Sequence, residues 1–455
     1  MTHTFRIKPT MLTALFCAVV VSHLCTFSIS AQNGLNMPYS QFGIGLSEMP
    51  YNMPAVSRMG GVVYTRSSTN SVNPFNPASF GSIATESFVF DMGLQIQHNT
   101  LCNDADSRRY ADGNLGYLAL GMPLTKWWKL SAGLMPYTSV QYASVQEQQG
   151  TGFGTMKTIY DGDGGTSMVF GGMAFNLLGD GHSEGRQLQA GFKVSYLTGS
   201  IRRAVSYSFL GIDSTHYMDS RRYKKTTAGN MLLDFGVQYR EPVGKNYTLG
   251  VGLVYKPHME SSINDDALIY TYHASDQSLV DTIFPQRGQS SEFKSTLEQA
   301  STVGVGISLE RNKRWMVAAD ATFGGWAGVK YTEGRDTSIL GHSSLATGPF
   351  RRYALGFERT GNMDARTYWG RISWSAGMHL EQGALYLMVG SEKRSIDEWG
   401  VGLGATLPMR QGRSSLTLSL SYNSLGQRDL LQYNSITFGI SISTSERWFV
   451  KRKYN

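Results

Sequence analysis

Apolar residues recur at every second position of this chain, in one segment after another. Leu416, Leu418, Leu420 and Tyr422 alternate with Thr417, Ser419 and Ser421, and Ile436, Phe438, Ile440 and Ile442 alternate with Thr437, Gly439 and Ser441. Leu233, Phe235, Val237 and Tyr239 alternate with Asp234, Gly236, Gln238 and Arg240. The pattern returns at 88–96, 188–196, 247–255, 303–309, 315–323 and 399–407. Successive side chains of a strand point to opposite faces, so each segment predicts a strand with one apolar and one polar face. A soluble sandwich shares that property, and the connections separate the two. Short ones near 123–126, 179–186, 241–245, 311–314, 361–366 and 409–413 alternate with longer ones near 98–112, 146–164, 206–228, 260–297, 333–349, 389–397 and 426–432. Short turns at one end and long loops at the other are the pattern of an antiparallel transmembrane β-barrel in a bacterial outer membrane.

Two segmentations compete around 380–387. With Gln382-Gly383 as a bulge in one long strand, the count is 14; with a turn there, it is higher and the alternation fails. An even count returns both ends of the barrel to the periplasm, so 14 is preferred. Aromatics mark the segment ends: Trp127, Trp128, Tyr137, Tyr239, Tyr247, Tyr255, Trp315, Trp326, Tyr353, Trp369, Trp399, Tyr422 and Trp448. Tyr and Trp favour the two membrane interfaces, where one end of the ring is wet. The alternative is aromatic packing in the core of a large soluble β protein.

The N-terminus agrees with export. Arg6 and Lys8 precede an apolar run from Met11 to Val21, and Ser30-Ala31 precedes Gln32. That order predicts a signal peptide cleaved after Ala31. The apolar run is short for a spanning helix, which needs about 20 residues. Cys25 follows Ser22-His23-Leu24, a poor lipoprotein-processing pattern. Cys17 and Cys25 fall within residues 1–31, so Cys102 alone remains and an internal disulfide is excluded. Mean hydropathy is −0.23, and no segment after residue 31 resembles a membrane helix. A chain that enters a bilayer without such a helix closes its backbone hydrogen bonds as a barrel. The net charge of +7 comes with no basic cluster interleaved with aromatics, which argues against nucleic acid as a partner.

Residues 32–84 do not alternate, and they hold five of the 13 prolines: Pro38, Pro50, Pro54, Pro74 and Pro77. Proline lacks the N–H of a ladder. Irregular structure is expected here, with a short helix near 55–64, and a wide lumen must be plugged or water-filled. The plug is the preferred reading. Ser57-Arg58-Met59-Gly60-Gly61, followed by Ser71-Val72-Asn73-Pro74-Phe75-Asn76-Pro77-Ala78-Ser79 and the first strand, resembles the hatch of the FadL-like family of outer-membrane transporters for long-chain fatty acids and aromatic hydrocarbons. The matching core is Asn76-Pro77-Ala78, and the hatch motif as a whole takes in Asn73, Pro74, Asn76, Pro77 and Ala78. The resemblance implies a 14-stranded barrel with an N-terminal hatch and a lateral opening, the Asn-Pro-Ala turn fixing hatch geometry. A plain turn leading into strand one is the alternative. The expected organisation is signal peptide 1–31, hatch segment 32–84, barrel 85–445 and basic tail 446–455. The tail lacks the terminal aromatic usual in barrels.

Signals for catalysis are weak. Asp161-Gly-Asp-Gly-Gly165 lacks the later ligands of a calcium loop and is expected at a solvated loop tip. Gly250-Val-Gly252 and Gly400-Val-Gly-Leu-Gly404 lie in strands with no helix following, so they are not phosphate loops and are expected to face a crowded lumen. His258, His273 and His379 have no metal-ligand spacing, and Ser373 and Ser375 share a face with His379 only by parity. No enzyme, cofactor or metal is expected.

Parity places Asp91, Lys193, Asp234, Arg240, Lys256, Glu310, Asp320, Glu358, Arg371 and Glu381 on the lumen face. Such charges can pair with each other or with a plug, and they weaken the case for a purely greasy conduit. Two functions stand open. One is a channel for hydrophobic or amphipathic small molecules such as fatty acids. The other is a non-transporting barrel, a secretion-system accessory or surface scaffold, with a partner on the 260–297 loop. In either case the expected partners are outer-membrane lipids and, during biogenesis, the barrel-assembly machinery. A monomer is expected.

Overall fold

The alternating segments are strands, and their polar faces are the buried ones. Ser419, Thr437 and Ser441 are 2%, 4% and 1% exposed, whereas Leu420, Ile436 and Ile442 are 50%, 48% and 40% exposed. A soluble protein does the reverse. A wall that presents its apolar side outward is solvated by lipid, with the polar side toward the lumen. The structure, a computed structural model, describes residues 37–447 except 48–49, 105, 151–153, 180–184, 211–217, 274–277, 286–289, 312–313, 328, 334–347, 390 and 410–412. The expected signal peptide, Trp448 and nearly all of the basic tail lie outside the described residues.

A two-residue strand, β1 (Leu46–Ser47), precedes the wall. The wall is antiparallel: β2 (Ser87–Cys102), β3 (Ser107–Pro123), β4 (Trp128–Gly150), β5 (Gly154–Leu178), β6 (Gln187–Leu210), β7 (Asp219–Val243), β8 (Tyr247–Lys256), β12 (Thr302–Arg311), β13 (Trp315–Gly324), β15 (Phe350–Arg359), β16 (Ser373–Val389), β17 (Glu392–Met409), β18 (Ser414–Gln427) and β19 (Leu431–Arg447). These are 14 strands, closed where β19 pairs β2 from Gln432↔Cys102 to Arg447↔Ser87. No helix among the described residues is long and apolar enough to cross a membrane.

Strands of 10 residues, such as β8 and β12, just suffice for a tilted crossing. β5 and β7 have 25 each and project far beyond it, on the side opposite the start of β2 and the end of β19. There β9 (Met259–Tyr272), β10 (Leu279–Phe284), β11 (Glu292–Gln299) and β14 (Val329–Thr332) extend the sheet, β7 pairing β9, β9 pairing β11 and β11 pairing β14.

This corrects the loops expected at 98–112, 146–164, 206–228 and 260–297. The ladder continues through most of each, to Cys102↔Ser107 and Gly150↔Gly154 in the first two. Asp161–Gly165 lies in β5, paired to β4 and β6, and is not a loop tip. Outside the bilayer a strand needs no apolar face, so the alternation that marks strands in the sequence stops while the ladder goes on. The bulge reading at 382–383 is borne out: β16 is continuous, its register shifts between Glu381 and Leu385, and Gly383 has φ 72°.

Aromatic pairs girdle both rims. Trp128 stacks on Phe175 at 6.2 Å and Tyr247 meets Trp315 at 6.3 Å near the periplasmic turns, while Trp399 meets Tyr422 at 5.5 Å toward the other rim. Tyr137 is a correction. It shares the inward parity of Lys129, Ser131 and Met135, and the ring is buried inside the barrel instead of standing at a rim.

Candidate functional site

The N-terminal segment lies inside the wall. It is held in a knot of its own polar side chains. Asn76 is fully buried; its Oδ1 accepts from the Ala78 N–H at 3.1 Å and its Nδ2 donates to the Tyr64 carbonyl at 2.7 Å. The first of these caps the 3₁₀ helix Pro77–Ser82, which Pro77 opens with its preset φ. Asn73 Nδ2 donates to the carbonyls of Val63 (2.7 Å) and Arg66 (2.9 Å), and its Oδ1 accepts from the Phe75 N–H at 3.1 Å. The expected helix at 55–64 is a single turn, Pro54–Ser57, ended by Gly60 and Gly61 at φ 64° and 87°.

Wall side chains then satisfy the segment's backbone. Asp320 accepts the N–H groups of Val63 (2.6 Å) and Tyr64 (2.9 Å). Asp91 accepts from the Val72 N–H (3.1 Å), Tyr117 Oη (2.6 Å) and Ser443 Oγ (2.9 Å). Lys193 donates to the Pro74 carbonyl at 2.8 Å and pairs with Asp234 at 2.6 Å. Glu358 pairs with Arg58 of the segment at 2.7 Å, and Arg240 pairs with Glu310 at 2.6 Å. Glu381 stands 3.5 Å from Tyr51 Oη, and burial first, then Glu381, pushes that phenol well above its usual range, so it remains a neutral donor. Arg371 is not on a strand. It lies in the short helix Tyr368–Arg371 of a periplasmic turn, because parity carries no information across a turn.

Several contributors were not singled out in the sequence. Lys129 is fully buried and donates to the Ile83 carbonyl at 2.6 Å; its parity with Ser131 was the available signal. Gln95, Gln238 and Asn176 donate to the carbonyls of Tyr51 (2.7 Å), Tyr64 (2.7 Å) and Gly81 (3.1 Å). Each hydrogen bond restores to the irregular segment what a ladder would have supplied.

Wall glycines let the segment press close. A Cβ at Gly191 would sit 2.6 Å from the Pro77 carbonyl carbon, one at Gly404 2.6 Å from Arg58 Cβ, and one at Gly356 2.8 Å from the Met59 carbonyl oxygen. At Gly236, Gly252, Gly377 and Gly402 it would overlap Asn76, Tyr64, Met59 and Ser57 respectively. Of the glycines at 250–252 and 400–404, Gly252, Gly402 and Gly404 therefore face the segment, while Gly250 and Gly400 make room for the wall side chains Ser308 and His379. A cavity of about 450 Å³ lies on the periplasmic side of this girdle and one of about 170 Å³ on the extracellular side.

The wall is incomplete at one seam. β3 and β4 pair only from Leu118↔Leu134 to Pro123↔Lys129, although both run on toward the cell exterior. Pairing ends two residues before Pro136, which has no N–H to offer. Beyond it β1 takes the β4 edge, Leu46↔Ser139 and Ser47↔Thr138, and the Met37 N–H donates to the Gln141 carbonyl at 2.7 Å. Asn52 closes the lower corner, donating to the Pro136 carbonyl at 3.1 Å while its own carbonyl abuts Gly116 of β3. The smaller cavity reaches this seam, lined there by Asp112, Asn114, Thr138 and Ser139.

The family model described as BamG matches residues 11–455. The chain belongs to the BamG family. No curated protein sequence matches it. Among solved structures, this BamG-family chain is similar to the CymD monoaromatic hydrocarbon channel, with 14% identity, a TM-score of 0.53, and coverage of 89% of this chain and 99% of that one. A FadL homologue of Pseudomonas aeruginosa gives 12%, 0.53, 90% and 99%, and the toluene transporter TbuX of Ralstonia pickettii gives 13%, 0.50, 86% and 97%. The resemblance to the FadL-like barrels is thus borne out in the fold. This BamG-family chain is a β-barrel of the bacterial outer membrane, and none of these neighbours is described as an enzyme.

Proposed function

We propose that this chain is a permanently plugged outer-membrane barrel that works as a component of the β-barrel assembly machinery, in place of conducting a solute. The observation that carries this reading is the wedge. Glycine backbone on opposite sides of the wall touches the N-terminal segment, and buried charges anchor it. A plug held by packing at native density does not shift by small steps. The name of the BamG family hints at a relation to that machinery and supports the same reading. The test is depletion of the chain from cells, followed by native extraction of a tagged copy. Loss of folded porins from the outer membrane and recovery of the machinery's central barrel are expected. Normal porin levels after depletion would refute the reading.

The seam favours a second reading, a FadL-type channel for hydrophobic or amphipathic molecules such as fatty acids, released sideways between β3 and β4. The polar side chains at its mouth, Gln95, Gln97, Asp112 and Asn114, speak against an apolar cargo. Leu46 and Ser139 are directly paired, and cysteines at facing positions of an antiparallel pair lie within disulfide reach. Leu46→Cys with Ser139→Cys, oxidised, locks the seam. Under the plugged reading, fatty-acid uptake by cells is the same before and after reduction. Uptake that returns only on reduction establishes the channel, as would altered uptake on deletion of 33–79.

A further inference from the structure

We propose that the cup at the periplasmic mouth binds a carboxylate-bearing peptide segment, an acidic stretch or chain end of a periplasmic protein. The inference stands apart from the assembly reading and would hold for a channel as well. The cup, about 450 Å³, falls in the range of ligand pockets. Four guanidiniums line it, Arg58, Arg66, Arg240 and Arg371, against two carboxylates, Glu310 and Glu358. The carboxylates are engaged, with Arg240 and Arg58 at 2.6 and 2.7 Å. Arg66 donates to the Ala55 carbonyl and lies in the field of Glu358 and Asp91, which leaves Arg371 as the cation with no carboxylate partner among the described residues. Burial, with the Arg58 guanidinium beside it, lowers Arg66 to about 10, so it stays charged in the periplasm.

A second observation points to a ligand. Arg58, 3% exposed, holds Ser375 and Glu358 through its terminal nitrogens, and among the described residues its Nε and the buried Nε of Arg371 have no hydrogen-bond partner. Buried donors left unsatisfied are costly, and a carboxylate satisfies two N–H groups of one guanidinium at once. Arg371 is held for this by its own turn, with its guanidinium 5.9 Å from the centre of the Tyr368 ring. Around the arginines, the Ser67 and Ser415 hydroxyls can both donate and accept, as an extended peptide backbone requires. The cup opens at the end where β2 begins and β19 finishes, so its occupant arrives from the periplasm.

The test uses the full chain in detergent micelles and a fluorescent pentapeptide carrying two aspartates and a free C-terminus. The controls are its amidated asparagine analogue, inorganic phosphate and the Arg371→Gln variant. The acidic peptide is expected to bind, more weakly as salt rises, and to lose about tenfold or more in affinity on Arg371→Gln. The thermal midpoint of Arg371→Gln is read alongside and is expected to be unchanged, since among the described residues no hydrogen bond or ion pair ties that side chain to the wall, its ring contact being with Tyr368 of the same turn. Equal binding of the neutral analogue, or undiminished binding by a folded Arg371→Gln, overturns the proposal. Displacement by phosphate at matched concentration overturns the peptide assignment and leaves a free-anion site.

Discussion

Gly191→Ala is expected to lower the stability of the folded barrel by about 1–3 kcal/mol, while Gly171→Ala leaves it unchanged or slightly raised. The two glycines lie on neighbouring strands, β6 and β5. A Cβ at Gly171 meets nothing within 4 Å, because that face looks out to lipid. A Cβ at Gly191 meets the Pro77 carbonyl at 2.5 and 2.6 Å and the Ala78 nitrogen at 2.8 Å. All three are backbone atoms of the Asn-Pro-Ala turn, which Asn76 already ties to Tyr64, so no flexible end can swing away. Replacing glycine in a strand otherwise stabilises by about 0.5–1 kcal/mol through the unfolded chain. The sign of the effect therefore reports whether the segment is wedged. Urea midpoints of the detergent-folded protein, read by the mobility shift of the folded band, measure both. If Gly191→Ala is as stable as Gly171→Ala, the segment is not packed against the wall, and the argument for a permanent plug goes with it.

The wall was legible because a bilayer imposes its pattern on every strand it touches. Parity alone put Asp91, Lys193, Asp234 and Asp320 inside, and they are 0%, 1%, 5% and 5% exposed. It carried no information at Arg371, which sits in a turn outside the strands. It fell silent above the membrane, where β5 and β7 continue without an apolar face. What the inward charges bind could not be read from the sequence. Their partners are carbonyls and N–H groups of Val63, Tyr64, Val72 and Pro74, and backbone atoms leave no mark on residue type. The glycines did leave one, as inward positions without side chains. The seam left another in Pro136, a proline inside an alternating run.

Lys193→Met alone is expected to cost about 3–5 kcal/mol, the loss that follows when one member of a buried ion pair is removed. Lys193 is 1% exposed, its Nζ lies 2.6 Å from Asp234 and 2.8 Å from the Pro74 carbonyl, and it stands 5.6 Å from the centre of the Phe170 ring. Methionine fills similar space, so packing is largely kept, but the Asp234 carboxylate loses its nearest counter-charge in a buried site. Adding Asp234→Leu removes that stranded charge, and most of the loss should return, since a well-packed apolar pair can match a buried ion pair. A remainder of about 1–3 kcal/mol should persist, because the Pro74 carbonyl still lacks its donor. That remainder isolates the tie between wall and segment from the tie within the wall. Unfolding midpoints of the wild type, the two single variants and the double variant supply it. Full recovery in the double variant would mean that Lys193 serves Asp234 alone and does not hold the segment.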